Sequence, residues 1–163
     1  MIEAIVFDLD GTLVRLPIDY ERLFEEFRRI MRMEDVHPLV DTVSKVDGKT
    51  REHVFRAWEK AELAVLGKVV ANEEGMKIYR EHADKRKALV TLQGKAVVDA
   101  ILKQFGLAFD VLVTREDTLF RVSQLIKAVN ELEVEARDVL FVGNTDGDAV
   151  AAEKAGCQFL RVK

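Results

Sequence analysis

The spacing of hydrophobic positions along the chain changes twice. From residue 20 to about residue 83 the apolar residues recur with the period of a helix, whereas on either side short apolar runs alternate with helical stretches. Alternation of strands and helices predicts an α/β fold with a three-layer, doubly wound parallel sheet. The runs predicted as its strands cover residues 4–7, 88–91, 109–114, 139–142 and 158–162.

The helical block interrupts this alternation after the first predicted strand. It contains amphipathic stretches whose apolar faces predict helices that pack on one another. The block is therefore expected to form a small α-helical cap domain over residues 16–83, inserted into an α/β core made of residues 1–15 and 84–163. The amphipathic stretches run over residues 20–31, 36–43, 54–65 and 72–79.

Two aspartates follow the first predicted strand. The period of two along a strand directs the Asp8 and Asp10 carboxylates to the same side. Carboxylates ~4 Å apart repel each other by roughly 4 kcal/mol at an effective dielectric of about 20, which favours a bound cation or one protonated member. Asp8 is placed to act as a nucleophile and Asp10 as a general acid and base, while Gly11 allows a tight turn. The alternative is an ordinary Asp-Gly-Thr turn or helix N-cap.

A second polar stretch follows the predicted strand at 139–142. Between Gly143 and Asp148 it carries Asn144 and further carboxylates, so oxygen donors again lie at the carboxyl end of a strand. Ligands of doubly wound sheets bind at this edge. Oxygen donors from two strand ends suit Mg²⁺, which takes few protein carboxylates together with substrate phosphate. Neither acidic stretch has a glycine at the position where a calcium-binding loop requires one. For the second stretch, the remaining alternative is a plain helix cap.

The composition narrows the classes of partner. The net charge of −4 shows no basic excess, which argues against nucleic acid and an anionic membrane as partners. No stretch is predicted to be a signal peptide or a membrane span. Cys157 is the only cysteine, so an internal disulfide is impossible and the cytoplasm is the expected compartment. The composition makes no prediction of the oligomeric state.

The acidic stretches resemble two motifs of the haloacid dehalogenase-like (HAD) hydrolase superfamily, in its phosphatase and phosphomutase branch with a helical cap. The first motif, Asp-x-Asp-Gly-Thr, matches residues 8–12. The fourth motif matches residues 143–156 with their terminal Ala-Gly. In addition, the second motif of the family, a Ser or Thr that ends a strand, matches Thr91. The resemblance covers essentially the whole chain and implies a Rossmann-like core.

The resemblance also implies a role for each matching residue. It implies that Asp8 is the nucleophile, that Asp10 is the general acid and base, and that Thr91 donates a hydrogen bond to the phosphoryl group. The implied metal ligands for Mg²⁺ are Asp8, the backbone carbonyl of Asp10, Asn144 and Asp148. The expected substrate contacts in the core are Gly11, Thr12 and Lys95.

The sequence departs from the family pattern at two positions. The third motif is a Lys usually followed by Pro, and counting back from Gly143 places Arg121 and Val122 there. Arginine keeps the positive charge and can bind phosphate through two hydrogen bonds. The alternative for Arg121 is a solvated charge on a helix, and Lys95 is then the second candidate for the cation. The other departure is Asn144, which stands where the fourth motif has its first Asp. An amide oxygen can ligate Mg²⁺ but brings no charge, so a lower metal affinity is expected.

A segment of the helical block carries one more candidate contact. Gly48-Lys49-Thr50-Arg51-Glu52 is predicted to be a loop between two helices and is similar to the cap loop of the sugar-phosphate mutases. This likeness implies that Arg51 or Lys49 holds a distal anionic group of the substrate. The alternative is a solvated loop with Thr50 as an N-cap.

The predicted function is that of a Mg²⁺-dependent phosphatase. The substrate is expected to be a small phosphorylated metabolite, a phosphomonoester hydrolysed through an aspartyl-phosphate on Asp8. Family members that displace halide usually lack an acid at the position of Asp10, so its presence favours phosphoryl transfer. Two alternatives stay open: a sugar-phosphate mutase of the same superfamily, and a catalytically weak or inactive HAD-like binding protein, to which Arg121 and Asn144 point.

Overall fold

The computed structural model describes the whole chain, Met1–Lys163. Its strands, numbered along the chain, are β1 (Ala4–Asp8), β2 (Val14–Arg15), β3 (Val70–Ala71), β4 (Arg86–Val90), β5 (Val111–Val113), β6 (Val139–Gly143) and β7 (Gln158–Arg161). Its α-helices are α1 (Tyr20–Met31), α2 (Leu39–Lys45), α3 (Gly48–Ala64), α4 (Glu73–Glu81), α5 (Lys95–Phe105), α6 (Arg121–Leu132) and α7 (Asp146–Ala155). No helix has the length and apolar character needed to cross a membrane.

Five strands form one sheet in the order β5-β4-β1-β6-β7, and every neighbouring pair is parallel. β1 lies at the centre with all of its residues buried, as its unbroken apolar run predicts. Helices make the crossovers that parallel strands require. The predicted α/β class with a doubly wound parallel sheet is confirmed, although β5 is shorter than the predicted strand at 109–114.

Side chains of the sheet alternate between two apolar layers. Phe7 belongs to the cluster that contains Ile101 of α5, whereas its neighbour Val6 belongs to the cluster that contains Leu125 of α6 and Ala152 of α7. Because successive residues of a strand point to opposite faces, each face is covered by its own helices. This arrangement is the predicted three-layer core.

The helices α1, α2 and α3 form a separate unit, which we call the cap. They share a third apolar cluster that includes Phe27, Val43 and Trp58 and takes in Leu119 from the loop before α6. The short antiparallel pair of β2 and β3 lies where the chain leaves and re-enters the sheet domain. The exact division of the chain into domains, at residues 15/16 and 83/84, stays a prediction.

The helix α4 packs against the sheet and not against the cap. Met76 belongs to the same cluster as Phe7, and the Tyr79 ring lies 6.0 Å from the Phe7 ring and 5.6 Å from the Phe109 ring. The expectation that all four helices of the block pack on one another is therefore wrong for α4. Amphipathic periodicity shows that a helix has an apolar face, but it does not show which surface covers that face.

Candidate active site

The carboxyl edge of the sheet brings together residues that are distant in the sequence. β1 pairs with β4 and with β6, with Asp8 opposite Val90 and Phe7 opposite Val142. Parallel strands end at the same edge, so Asp8, Thr91 and Asn144 all follow or close strands there. The topology thus joins the two acidic stretches that the sequence places near opposite ends of the chain.

One guanidinium group connects these two stretches. Arg121, the first residue of α6, donates from Nη2 to Asp8 Oδ1 at 3.1 Å and from Nε to Asp148 Oδ1 at 3.1 Å. Its third nitrogen, Nη1, donates to Gln124 Oε1 at 2.7 Å. The cation expected from the third motif therefore lies directly against the predicted nucleophile, and its role in catalysis stays a prediction. A lysine carries its three N–H donors on a single nitrogen and cannot contact three groups with separate nitrogens.

The surroundings of Asp8 change its protonation. Burial is the largest influence on the Asp8 carboxyl and raises its pKa from the ordinary 3.8 to about 7. The Arg121 guanidinium acts in the opposite direction and lowers this pKa. The carboxylates of Asp148 and Asp10 raise the pKa further. The two nearby acids thus disfavour the charged form of Asp8, whereas Arg121 and a hydrogen bond from the Leu9 backbone favour the ionised carboxylate.

Asp10 faces the beginning of the cap. Its Oδ1 accepts a hydrogen bond from the Leu16 N–H at 3.0 Å, and its Oδ2 accepts one from the Tyr20 hydroxyl at 3.5 Å. Burial raises the pKa of Asp10, although these two donors lower it. Burial and the Asp10 carboxylate also raise the pKa of Tyr20, so its hydroxyl stays a donor. A carboxyl that holds its proton more tightly than usual suits a general acid.

The turn after β1 packs against the loop after β6. Gly11 has a φ of +84°, and a Cβ at this position would collide with the Asn144 carboxamide. Thr12 is fully buried and donates from Oγ1 to Asn144 Oδ1 at 3.3 Å. Gly11 and Thr12 therefore position Asn144 beside the first motif, and their predicted contacts with the substrate stay predictions.

The carboxylate of Asp148 is occupied by hydrogen bonds within its own loop. Oδ2 accepts from the N–H groups of Asn144 and Thr145 at 3.1 and 3.2 Å, and Oδ1 accepts from Arg121. Thr145 and Asp148 form a capping box at the start of α7. The alternative of a helix cap thus describes what Asp148 does here, and the Thr-x-x-Asp spacing was the signal for it. Its predicted role as a metal ligand stays a prediction.

Thr91 follows β4 with its hydroxyl paired to a neighbour. Its Oγ1 donates to Gln93 Oε1 at 2.6 Å and accepts from the Gln93 N–H at 3.1 Å. Its carbonyl accepts from Gln124 Nε2 at 2.8 Å. The hydroxyl must leave Gln93 Oε1 to donate to a phosphoryl oxygen as predicted.

Lys95 does not point into this edge. It begins α5 with a side chain that is 64% exposed, and its Nζ lies 3.4 Å from Asp99 one turn along the same helix. Arg121 instead of Lys95 supplies the cation next to Asp8.

Arg51 is occupied at the end of α2. Its guanidinium donates to the backbone carbonyls of Val43, Ser44 and Val46 at 3.2, 2.8 and 3.0 Å. The expected loop over residues 48–52 is wrong, because these residues form the first turns of α3. The N-cap is Asp47 and not Thr50: the Asp47 carboxylate accepts from the Thr50 N–H at 2.7 Å.

A buried ion pair joins the cap to the core. Arg115, in the loop after β5, donates from Nη1 and Nη2 to the two oxygens of Glu62 on α3 at 3.0 and 2.9 Å. Their side chains are 1% and 0% exposed, and Glu62 also accepts from the Gly94 N–H at the start of α5. The Arg115 guanidinium lies over the Trp58 ring, 4.3 Å from its centroid. The signal for this contact was a charged residue four positions after Trp58, on the apolar face of a helix.

The oxygen donors at the edge fit a divalent cation that takes few carboxylates. Asp8 has a second carboxylate oxygen beyond the one on Arg121, and Asn144 offers an amide oxygen against the first motif. Mg²⁺ prefers such donors and keeps several waters. No three His, Cys, Asp or Glu side chains are grouped closely enough to hold a metal on side chains alone. These donors therefore fit Mg²⁺, but they bring less negative charge to it than the predicted set of ligands would.

The parallel sheet, its cap and its acidic carboxyl edge agree with the family that the sequence matches. The chain belongs to the haloacid dehalogenase-like hydrolase family, whose model matches residues 5–162. The resemblance in the sequence is thereby confirmed, and the protein is a hydrolytic enzyme, as predicted.

Individual relatives show how far the likeness extends. The pyrophosphatase PpaX of Bacillus mycoides is 26% identical over 181 residues, which cover 99% of this chain and 83% of PpaX. The crystal structure of CbbY from Rhodobacter sphaeroides in complex with phosphate has a TM-score of 0.67 and 20% identity, covering 98% and 85% of the two chains. The L-2-haloacid dehalogenase of Xanthobacter autotrophicus has a TM-score of 0.68 and 20% identity, covering 99% and 78%. The shared fold thus spans different chemistries and does not select the substrate.

Proposed function

We propose that the protein hydrolyses small phosphomonoesters in a Mg²⁺-dependent reaction that passes through an aspartyl-phosphate on Asp8. The observation that carries the proposal is the pairing of the buried Asp8 carboxylate with Arg121 at the carboxyl edge of the central strand. A guanidinium group favours the ionised nucleophile and also binds phosphate, so Arg121 serves both partners of the reaction.

The proposed reaction has two halves. In the first, a carboxylate oxygen of Asp8 bonds to phosphorus, the bond to the leaving oxygen breaks, and Asp10 gives its proton to that oxygen. In the second, a water oxygen bonds to phosphorus, Asp10 takes the proton from this water, and the bond to Asp8 breaks to release phosphate. Arg121 and Thr91 donate hydrogen bonds to the phosphoryl oxygens in both halves.

The contact between Asp10 and the cap gives the acid a defined position. The Leu16 N–H and the Tyr20 hydroxyl each hold one of its oxygens, and Tyr20 belongs to the first turn of α1. In this proposal the cap therefore both covers the site and orients the general acid.

The proposed ligands of Mg²⁺ are Asp8, the backbone carbonyl of Asp10 and Asn144. When bound there, Mg²⁺ neutralises negative charge on the phosphoryl oxygens. We assign Asp148 to the N-terminus of α7 and to Arg121 in preference to the metal, because its oxygens already accept those hydrogen bonds.

The substrate is proposed to be a small phosphorylated metabolite, and the cytoplasm remains the proposed location. The name of PpaX makes inorganic pyrophosphate a second candidate substrate. Transfer between sugar hydroxyls and binding without turnover are the alternatives that the experiment must separate.

The test measures phosphate release from an aryl phosphate, a panel of sugar phosphates and pyrophosphate, with and without Mg²⁺. We expect release that depends on Mg²⁺ and is lost in Asp8→Asn. Asp84→Asn is the matched control, because Asp84 is an exposed aspartate outside the site. No release from any substrate contradicts the proposal and favours a binding protein. Isomerised sugar phosphate without net phosphate release identifies a mutase.

A further inference from the structure

Gln124 is a buried polar side chain next to the site that sequence analysis did not single out. It lies on α6, three residues after Arg121, and is 0% exposed. Its amide carries two N–H donors and one carbonyl acceptor. Burying such groups without partners is costly, so the partners of this residue indicate what it does.

Every polar atom of the Gln124 side chain has a partner. Nε2 donates to the carbonyl of Thr91 at 2.8 Å and to the carbonyl of Thr118 at 2.9 Å, while Oε1 accepts from Arg121 Nη1 at 2.7 Å. Two carbonyl oxygens can accept only from the NH₂ end of the amide. The orientation is therefore determined, and Oε1 must face Arg121.

We infer that Gln124 is a positioning residue that holds Arg121 and the end of β4 in one geometry. The inference rests on the proposed function, in which Arg121 and Thr91 contact the phosphoryl group. Gln124 is bonded to both of these residues, and its hydrogen-bond partners do not include Asp8. It therefore acts through Arg121 and Thr91.

The geometry of Arg121 explains why it needs such a partner. The flexible arginine side chain contacts Asp8, Asp148 and Gln124 with three different nitrogens. Without Gln124, two contacts to carboxylates remain, and the guanidinium can rotate away from the position that the phosphoryl group requires. A lysine at position 121 carries its three N–H donors on a single nitrogen, so it cannot reach Asp8, Asp148 and Gln124 with separate nitrogens as the guanidinium does. We therefore expect the influence of Gln124 to depend on arginine being there.

A double-mutant cycle tests this dependence. We expect Gln124→Met to lower kcat for an aryl phosphate by about 10- to 100-fold, with a smaller change in KM. In the Arg121→Lys background the same substitution is expected to cost only about 2-fold, because the two effects are not independent. Gln104→Met, on the exposed face of α5, is the matched control and leaves kcat unchanged. Equal losses of kcat in both backgrounds overturn the inference.

A second measurement does not depend on turnover. The ¹⁵N–¹H resonance of Arg121 Nε, assigned by its loss in Arg121→Lys, is expected to be protected from solvent exchange in the wild type. It is expected to exchange faster in Gln124→Met and to be unaffected in Gln104→Met. An unchanged exchange rate of this resonance in Gln124→Met overturns the inference even where the wild type hydrolyses phosphate esters. If the wild type hydrolyses no phosphate, the proposed function fails, and this resonance still tests the positioning. Should Gln124→Met not fold, Gln124→Leu replaces it: faster solvent exchange of the Arg121 Nε resonance supports the inference, and an unchanged exchange rate overturns it.

Discussion

Asp8 is expected to lower the stability of the folded chain at neutral pH, and Asp8→Asn is expected to raise it. In the folded chain the pKa of Asp8 is about 7. In the unfolded chain it is the ordinary aspartate value of 3.8. Below pH 3.8 both states are protonated and Asp8 costs nothing. As the pH rises from 3.8 towards 7 the unfolded chain ionises first, so stability falls, and above pH 7 the loss is complete. About three pH units at about 1.36 kcal/mol each give an upper value of about 4 kcal/mol.

Urea unfolding of wild type and Asp8→Asn between pH 4 and 8, with a chelator present, measures this difference. The asparagine keeps an acceptor oxygen for Arg121, which in the wild type donates to both Asp8 and Asp148. We expect the gain in unfolding free energy to be small at pH 4 and to approach its full value above pH 7. Asp84→Asn, an exposed aspartate, should show no such trend. A gain that is independent of pH, or a loss that grows with pH, refutes the reasoning.

Two further predictions concern the metal and the cap. Asn144→Asp should tighten Mg²⁺ binding by about tenfold or more, because it adds a charge to a donor set with few carboxylates. Calorimetry measures the dissociation constant for Mg²⁺, and unchanged or weaker binding contradicts the assignment. Arg115→Met should lower the unfolding free energy by about 3–5 kcal/mol, because it leaves the buried Glu62 carboxylate unpaired. The double variant Glu62→Met/Arg115→Met should recover much of that loss in urea unfolding, and a double variant no more stable than Arg115→Met alone contradicts the explanation.

The fold was largely predictable because burial follows hydrophobic patterning. Continuous apolar runs such as residues 4–7 identify strands buried on both faces, and β1 is indeed at the centre of the sheet. The position of α4 was not predictable in this way. Its apolar face is equally compatible with the cap and with the sheet, and only the contacts of Met76 and Tyr79 decide between them.

The site was predictable where local chain geometry determines it. Asp8 closes the buried strand β1, as the apolar run before it predicts, and the turn that follows needs a residue such as Gly11 with positive φ. The sequence did not show that the Arg51 guanidinium binds three carbonyl groups of its own cap, and its predicted contact with the substrate stays a prediction. An arginine in a sequence shows a charge, but its partner depends on which groups surround it in space.

By itself, the sequence determined the α/β class, the nucleophile candidate at the end of the first strand and the family to which the chain belongs. These properties follow from patterns and motifs read along the chain, because the order of residues in each segment dictates side-chain direction and burial. Only the tertiary structure decided that Arg121 bridges Asp8 and Asp148, that Gln124 joins Arg121 to Thr91, and that Glu62 and Arg115 hold the cap on the core. These contacts join segments distant in the chain, and hydrogen bonds and ion pairs form only where folding brings their atoms within about 3 Å.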